Sequence, residues 1–395
     1  MRPVRRGPAC SLRLLSTPEA RDRIDQAGER RSARVESLRA LAALAVFVGH
    51  AFSLSFGAGP GVFDGTKNRL LVGGGLGVFL FFTLSGYLLF LPFLRAQVGR
   101  RPAVALKDYA RNRILRILPL YVVVVTLLSI VRPFDGQQSQ WWRYMLFIQN
   151  YSGTSPTFPN TPVWSLQVEA HYYLVLPLLA WILARVTRGS LRWTAGVLLA
   201  AGAVSYKLRA HGVVTGDSLG VLYGLYSLPG LMYLFISGML LAVLRVATDR
   251  ERPAWADRPV VGDSSVWLLA GLACYVLIAT RTQLFQTRLL PFAGFLVVGA
   301  AVLPLRGGPL VRVLDWRPLA IVGVASYSFY LWHVPIIQLL TGTHAVVRDG
   351  VFAIVGDGTD FKRTLLLAVV IVAPVTAASY LGIERPFLRL RKRWA

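Results

Sequence analysis

The sequence predicts an all-α membrane protein, a polytopic bundle of about ten bilayer-spanning helices with both termini in the cytoplasm. Three observations predict it. Apolar residues make up 54% of the 395 and charged residues only 16%, a balance suited to lipid rather than to a water-facing surface. The apolar residues run in stretches of roughly 15 to 25, the length that crosses a hydrocarbon core of about 30 Å at about 1.5 Å per residue. The 43 Lys and Arg residues outnumber 19 Asp and Glu, and they concentrate in alternate connections between those stretches.

Taken in order, residues 1–34 are rich in Arg, contain acidic residues and Pro18, and have no apolar run behind the basic start. They are expected to be a cytosolic tail rather than a secretory signal, with helix-forming composition from Pro18 to Glu36. Residues 35–388 are expected to form the membrane domain and 389–395 a short basic cytosolic tail. The crossings are expected at Leu38–Phe56, Leu70–Leu94, Ile114–Val131, Trp164–Leu183, Trp193–Tyr206, Leu219–Leu244, Val266–Thr280, Leu289–Leu305, Leu319–Leu340 and Leu365–Ile383. The fifth and seventh are short for the core, which allows a tilted or re-entrant segment.

Orientation follows from the basic connections. The N-terminal tail, Arg95–Arg113, Arg185–Arg192, Arg245–Arg258, Arg306–Arg317 and Arg385–Arg393 carry the excess of Arg and Lys and are expected in the cytoplasm. Gly57–Arg69, Pro133–Val163 and Thr341–Thr364 are richer in Gly, Pro, Ser, Thr and Asp and are expected outside. Because the positive charge is interleaved with apolar stretches, the net charge of +24 reads as topology and not as a nucleic-acid footprint. Cys10 and Cys274 offer neither a disulfide framework nor a metal-ligand spacing.

Ionisable groups inside crossing helices cost several kcal/mol unless paired or hydrated, so each marks a candidate site. Arg39 and His50 are separated by eleven helical rises, roughly 16 Å, and by about 20° beyond three full turns, so they share a face. Taken singly, Arg39 also reads as a snorkelling anchor and His50 as an interhelical hydrogen bond. Phe81-Phe82-Thr83-Leu84-Ser85-Gly86-Tyr87 carries small residues that suit close helix packing. Arg113 and Arg116 lie on one face ahead of Pro119, where two guanidiniums suit either a phosphate clamp or a positive-inside anchor. Trp164-Ser165-Leu166-Gln167-Val168-Glu169 opens the fourth crossing, and Glu169 needs a partner. Ser326, Tyr330 and His333 line one face of the ninth by their i, i+4, i+7 spacing. Glu384-Arg385-Pro386-Phe387 ends the last helix, where Glu384 is available to answer an arginine.

These segments, in this order from Val35 to Phe387, resemble the signature set of the acyltransferase type 3 family. Arg39 and His50 have ten residues between them, followed by Phe81–Leu88, Arg113–Pro119, Trp164–Tyr173, Ser326–His333 and Glu384–Phe387. The sequence departs from the family's usual pattern at Glu36-Ser37, where relatives often carry Asp-Gly, and at Tyr172, where Phe is common. The resemblance implies transfer of an acyl group from an acyl-CoA donor to a hydroxyl of a sugar, glycolipid or macrolide-like metabolite, in the cytoplasmic membrane. His50 is then the expected general base, with Glu169 and His333 as further catalytic candidates. Arg39, Arg113, Arg116, Ser85, Trp164, Ser326 and Tyr330 are expected to contact substrates. A thioester is already activated, so direct attack needs no metal and no permanently bound cofactor. A two-step route through an acylated Ser85 or Ser326 stays open, although the sequence sets no base beside either.

A polytopic transporter or flippase for an anionic or sugar substrate is the alternative, because buried Arg, Glu and His also describe substrate pathways. The lack of an inverted repeat and the gathering of basic groups at one mouth count against it. A non-catalytic lipid scaffold would leave His50 and Glu169 without a role.

Overall fold

The computed structural model describes residues 18–56, 64–99, 102–131, 141–151, 160, 162–215, 226–280, 283–348, 351–355 and 358–393. The chain runs through α1 (Pro18–Ser55), α2 (Gly65–Gly73), a 3-10 turn (Gly74–Leu76), α3 (Gly77–Gln97), α4 (Leu106–Val131), α5 (Trp141–Met145), α6 (Val163–Thr187), α7 (Leu191–Thr215), α8 (Leu228–Arg250), α9 (Ser264–Thr280) and α10 (Gln283–Val302). It continues through α11 (Arg317–Val324), α12 (Ser326–Thr341), strands β1 (His344–Arg348) and β2 (Val351–Val355), α13 (Phe361–Ser379), a π-helical segment (Tyr380–Glu384) and α14 (Arg385–Arg393). Cys10 and the start of the N-terminal tail lie outside the described residues.

Each expected apolar stretch coincides with a helix over its described residues, residues 219–225 of the sixth lying outside them, so the helical membrane class holds. Among the described residues, the count of ten crossings is not reached on length and composition. Six helical segments suffice, Ser32–Ser55, Gly65–Gln97, Leu106–Val131, Val163–Thr187, Leu228–Arg250 and Phe361–Leu390, and the bent pair α11–α12 makes a seventh. Two of the others fall short for physical reasons. Ser264–Thr280 has 17 residues, about 25 Å of helix against a core of about 30 Å. α7 is long enough but carries Arg192, Lys207 and Arg209, whose insertion is costly. Exposed apolar side chains such as Leu174, Trp193, Ile321 and Leu339 form the outer surface that lipid covers.

The all-α architecture carries one short element that is not helical. The connection Thr341–Thr364 holds an antiparallel hairpin, with His344 opposite Val355 and Arg348 opposite Val351. β-branched residues flank Asp349-Gly350 in the sequence, which is a strong short-range hairpin signal. The ends of this connection are tied to the end of α1: Thr343 Oγ1 donates to Leu54 O at 3.0 Å, and Thr359 N donates to Ser55 O at 2.9 Å.

Close backbone approach sets the packing at the centre. A Cβ on Gly238 would fall 1.9 Å from Thr83 O, and one on Gly86 would fall 2.1 Å from Phe235 O. Only glycine lets α3 and α8 meet at that distance. Phe235 then stacks on Phe82 at 4.8 Å and on Tyr172 at 4.1 Å, which locks α3, α6 and α8 together. A second apolar cluster, including Phe47, Ala51, Leu54, Val334, Ile337, Ala368 and Val372, joins α1, α12 and α13. At one end of the bundle, Arg34 grips Asp315 through two bonds of 2.6 and 2.8 Å. The last residue assigned to the tail is therefore docked.

Prolines inside helices position the site helices by freeing carbonyls. Pro335 in α12 has no N–H for Leu331 O, and Asn160 Nδ2 donates to that oxygen at 2.8 Å. Pro177 in α6 likewise frees Tyr173 O, which accepts from Tyr109 OH of α4 at 3.0 Å.

Candidate active site

A cavity of about 230 Å³ opens between α1, α3, α4, α6 and α12. Its wall contains Arg39 from α1, Ser85 from α3, Arg113 and Arg116 from α4, Ser165 and Glu169 from α6, and Ser326 and Tyr330 from α12, with Glu36, Phe81, Tyr173 and Tyr327 beside them. Seven of the expected site residues thus converge, although they come from five helices and span nearly 300 positions of sequence. The motif Phe81–Tyr87 divides between two roles. Ser85 faces the cavity while Gly86 packs against α8.

The cavity gathers positive charge. Arg39 lies within electrostatic range of Arg116 as a like charge and of Glu36 and Glu169 as opposite charges. Its contact with Glu36 is long, 3.9 Å. Arg39 Nε, Arg113 Nε and Ser326 Oγ have no hydrogen-bond partner among the described residues. Ser326 is only 1% exposed, so its hydroxyl is aimed at the cavity and not at bulk water. The helix axis turns by 70° between α11 and α12, where Ala325 leaves helical geometry. That break brings the N-terminus of α12, its positive dipole end, to the same wall.

Glu169 has the partners its burial demands. Ser85 Oγ donates to Oε1 at 2.6 Å, and the Tyr173 hydroxyl donates to the same oxygen. The Tyr173 ring in turn lies 5.7 Å beneath the Arg113 guanidinium, within cation–π range. Glu384, in the π-helical segment, is buried behind this wall. It accepts from Ser328 Oγ at 2.7 Å and lies within electrostatic range of Arg116 and Arg39.

Neither imidazole is in the wall of this cavity. His50 and His333 meet beside it, Nδ1 to Nε2 at 2.9 Å, with rings 5.2 Å apart. His333 is fully buried, whereas His50 is half-buried. His333 Nδ1 lies 2.7 Å from Tyr330 O. Tyr330 therefore belongs to both places: its backbone carbonyl anchors the imidazole pair, and its hydroxyl, 2.8 Å from Ser165 Oγ, belongs to the cavity. The common face of Arg39 and His50 is divided by this boundary, with Arg39 in the cavity and His50 against α12. Trp164 lies away from the cavity, packed edge to face on Phe82 and Tyr226, with its carbonyl accepting from Asn150 Nδ2.

Two groups that support the site are not evident from the motifs. Asn160 holds α12 where Pro335 interrupts its bonding, and Tyr109 does the same for α6 at Pro177. The prolines announce an orphan carbonyl but not which distant donor answers it.

The family model described as Acyltransferase domain matches residues 32–383 of this chain. O-acetyltransferase OatA of Staphylococcus aureus is 25% identical over 337 residues, covering 80% of this chain and 53% of that protein. Peptidoglycan O-acetyltransferase OatA of Listeria monocytogenes is 24% identical over 343 residues, covering 80% and 51%. The chain spans about half the length of the curated relatives it matches. No solved structure matches it.

Proposed function

Because this chain belongs to the acyltransferase type 3 family, we propose that it is a membrane O-acyltransferase moving a short acyl group from an acyl-CoA donor to a hydroxyl of a carbohydrate or glycosylated acceptor. The acceptor class draws on the Listeria monocytogenes relative, whose name describes acetylation of peptidoglycan. The protein works in the cell membrane, with Arg39, Arg113 and Arg116 at the cytoplasmic mouth and both termini in the cytoplasm.

The observation that carries this reading is the double position of Tyr330, shared between an arginine-lined cavity and an imidazole pair. Donor phosphates suit the three guanidiniums and the N-terminus of α12, which provide charge-assisted donors and a positive dipole end. The cavity is smaller than a whole coenzyme site, so the acyl-bearing arm is directed past Tyr330 toward His50. His50 takes the acceptor hydroxyl's proton as the oxygen bonds to the acyl carbon. The C–S bond breaks, and the departing thiolate recovers the proton from His50. General-base help of this kind contributes about 10²- to 10⁴-fold.

One observation favours a second route. Ser85 Oγ stands 2.6 Å from Glu169 Oε1, a nucleophile beside a proton acceptor inside the cavity. In that route Ser85 gives its proton to Glu169 and bonds to the acyl carbon as the C–S bond breaks, and Glu169 passes the proton to the departing thiolate. The acceptor oxygen then takes the acyl group from Ser85, its own proton moving through Glu169 to the freed Ser85 oxygen. Incubating membranes that contain the full chain with radiolabelled acyl-CoA tests both routes. Label in a carbohydrate fraction is expected, and label retained on Ser85 identifies the second. Absence of transfer and of hydrolysis without any ion gradient would overturn the enzymatic reading in favour of transport.

A further inference from the structure

We infer that His333 is a positioning residue that fixes the tautomer of His50; this rests on the reading of His50 as general base. The two hydrogen bonds determine where the protons sit. A carbonyl only accepts, so the 2.7 Å contact between His333 Nδ1 and Tyr330 O requires the proton on Nδ1. A neutral imidazole has a single N–H, so Nε2 of His333 is a lone pair. That lone pair lies 2.9 Å from His50 Nδ1. Two lone pairs facing at this distance would repel, so His50 Nδ1 carries the proton and donates it. The proton acceptor left on His50 is Nε2.

The orienting ring is itself held. His333 is fully buried, stacked on Phe329 at 5.9 Å with an interplanar angle of 5°, and met edge-on by Phe47 at 6.3 Å. Its anchor, Tyr330 O, lies in the turn of α12 that Asn160 secures through Leu331 O. The arrangement follows the logic of a base oriented by a third group, with a neutral imidazole where a carboxylate is more usual. When His50 Nε2 gains a proton, the Nδ1–H bond to His333 becomes charge-assisted and strengthens. His333 thus favours the reacting state without touching substrate.

Turnover of acetyl-CoA to free CoA by the purified full chain tests this with three variants of comparable melting temperature. His333→Phe is expected to lower kcat by at least about thirtyfold with KM for acetyl-CoA unchanged, since a misoriented base loses much of its contribution. His333→Gln, whose Oε1 can accept from His50 Nδ1–H, is expected to recover most of that loss. Full activity in His333→Phe, or equal loss in both variants, overturns the positioning role while an inactive His50→Ala leaves the base reading standing. An active His50→Ala removes the base reading, and this inference with it. Should His333→Phe fail to fold, nitrogen NMR of the wild-type chain decides the matter: a proton on His50 Nδ1 is expected, and a proton on Nε2 overturns it.

Discussion

Ser85 on α3 and Glu169 on α6 are joined by a hydrogen bond of 2.6 Å, the hydroxyl donating to Oε1, which also accepts from Tyr173. Glu169→Gln keeps an oxygen for both hydroxyls but cannot accept Ser85's proton. If the acceptor attacks the thioester directly, turnover should stay within about tenfold of wild type, because no general-base contribution of 10²- to 10⁴-fold is removed. A collapse beyond a hundredfold in equally stable protein would instead establish the acyl-serine route.

Arg113→Ala should raise the apparent KM for acyl-CoA by roughly 10- to 150-fold and leave kcat nearly unchanged. The magnitude follows from one charge-assisted bond of about 1.5–3 kcal/mol. An unaltered KM would return Arg113 to the role of a topology anchor.

His50→Ala should reduce turnover by at least about a hundredfold. It should leave melting temperature and acyl-CoA binding close to wild type, since an interhelical hydrogen bond in a membrane averages only about 0.6 kcal/mol. A large loss of stability with activity retained per folded molecule would identify the residue as structural.

Asn160→Ala should destabilise the protein by about 1–3 kcal/mol, because it orphans Leu331 O in the interior. Pro335→Ala restores an N–H to that carbonyl. In the Pro335→Ala background the cost of Asn160→Ala should therefore shrink, giving a coupling detectable in a double-mutant cycle. Strict additivity would show that Asn160 acts by other means.

Reporter fusions should locate the connection Thr341–Thr364 outside the cell and both termini in the cytoplasm. A cytoplasmic reading there would invert the bent pair α11–α12 and remove the basis for donor entry at Arg39.

Composition and spacing alone determined the helical membrane class, the location of each long apolar segment and the residues worth suspecting. Lipid permits few backbone solutions and penalises stray charge, so Arg39, Glu169 and the arginines of α4 stand out in one dimension. Periodicity put Ser326, Tyr330 and His333 on one face, which packing divides between the cavity and the imidazole pair. The Asp349-Gly350 signal was equally present in the sequence, and it marks a hairpin within a chain otherwise read as helical.

Tertiary structure decided what helical period cannot express. Which donor answers the carbonyls freed by Pro177 and Pro335, why Gly86 packs while its neighbour Ser85 lines a cavity, and where α11 turns into α12 all depend on how separate helices approach. The pairing of His50 with His333 bridges 283 positions, and its proton arrangement follows from a single carbonyl at Tyr330. Local sequence sets each side chain's direction on its own helix; only the packing of one helix against another sets the distance between two of them, and hydrogen bonding depends on that distance.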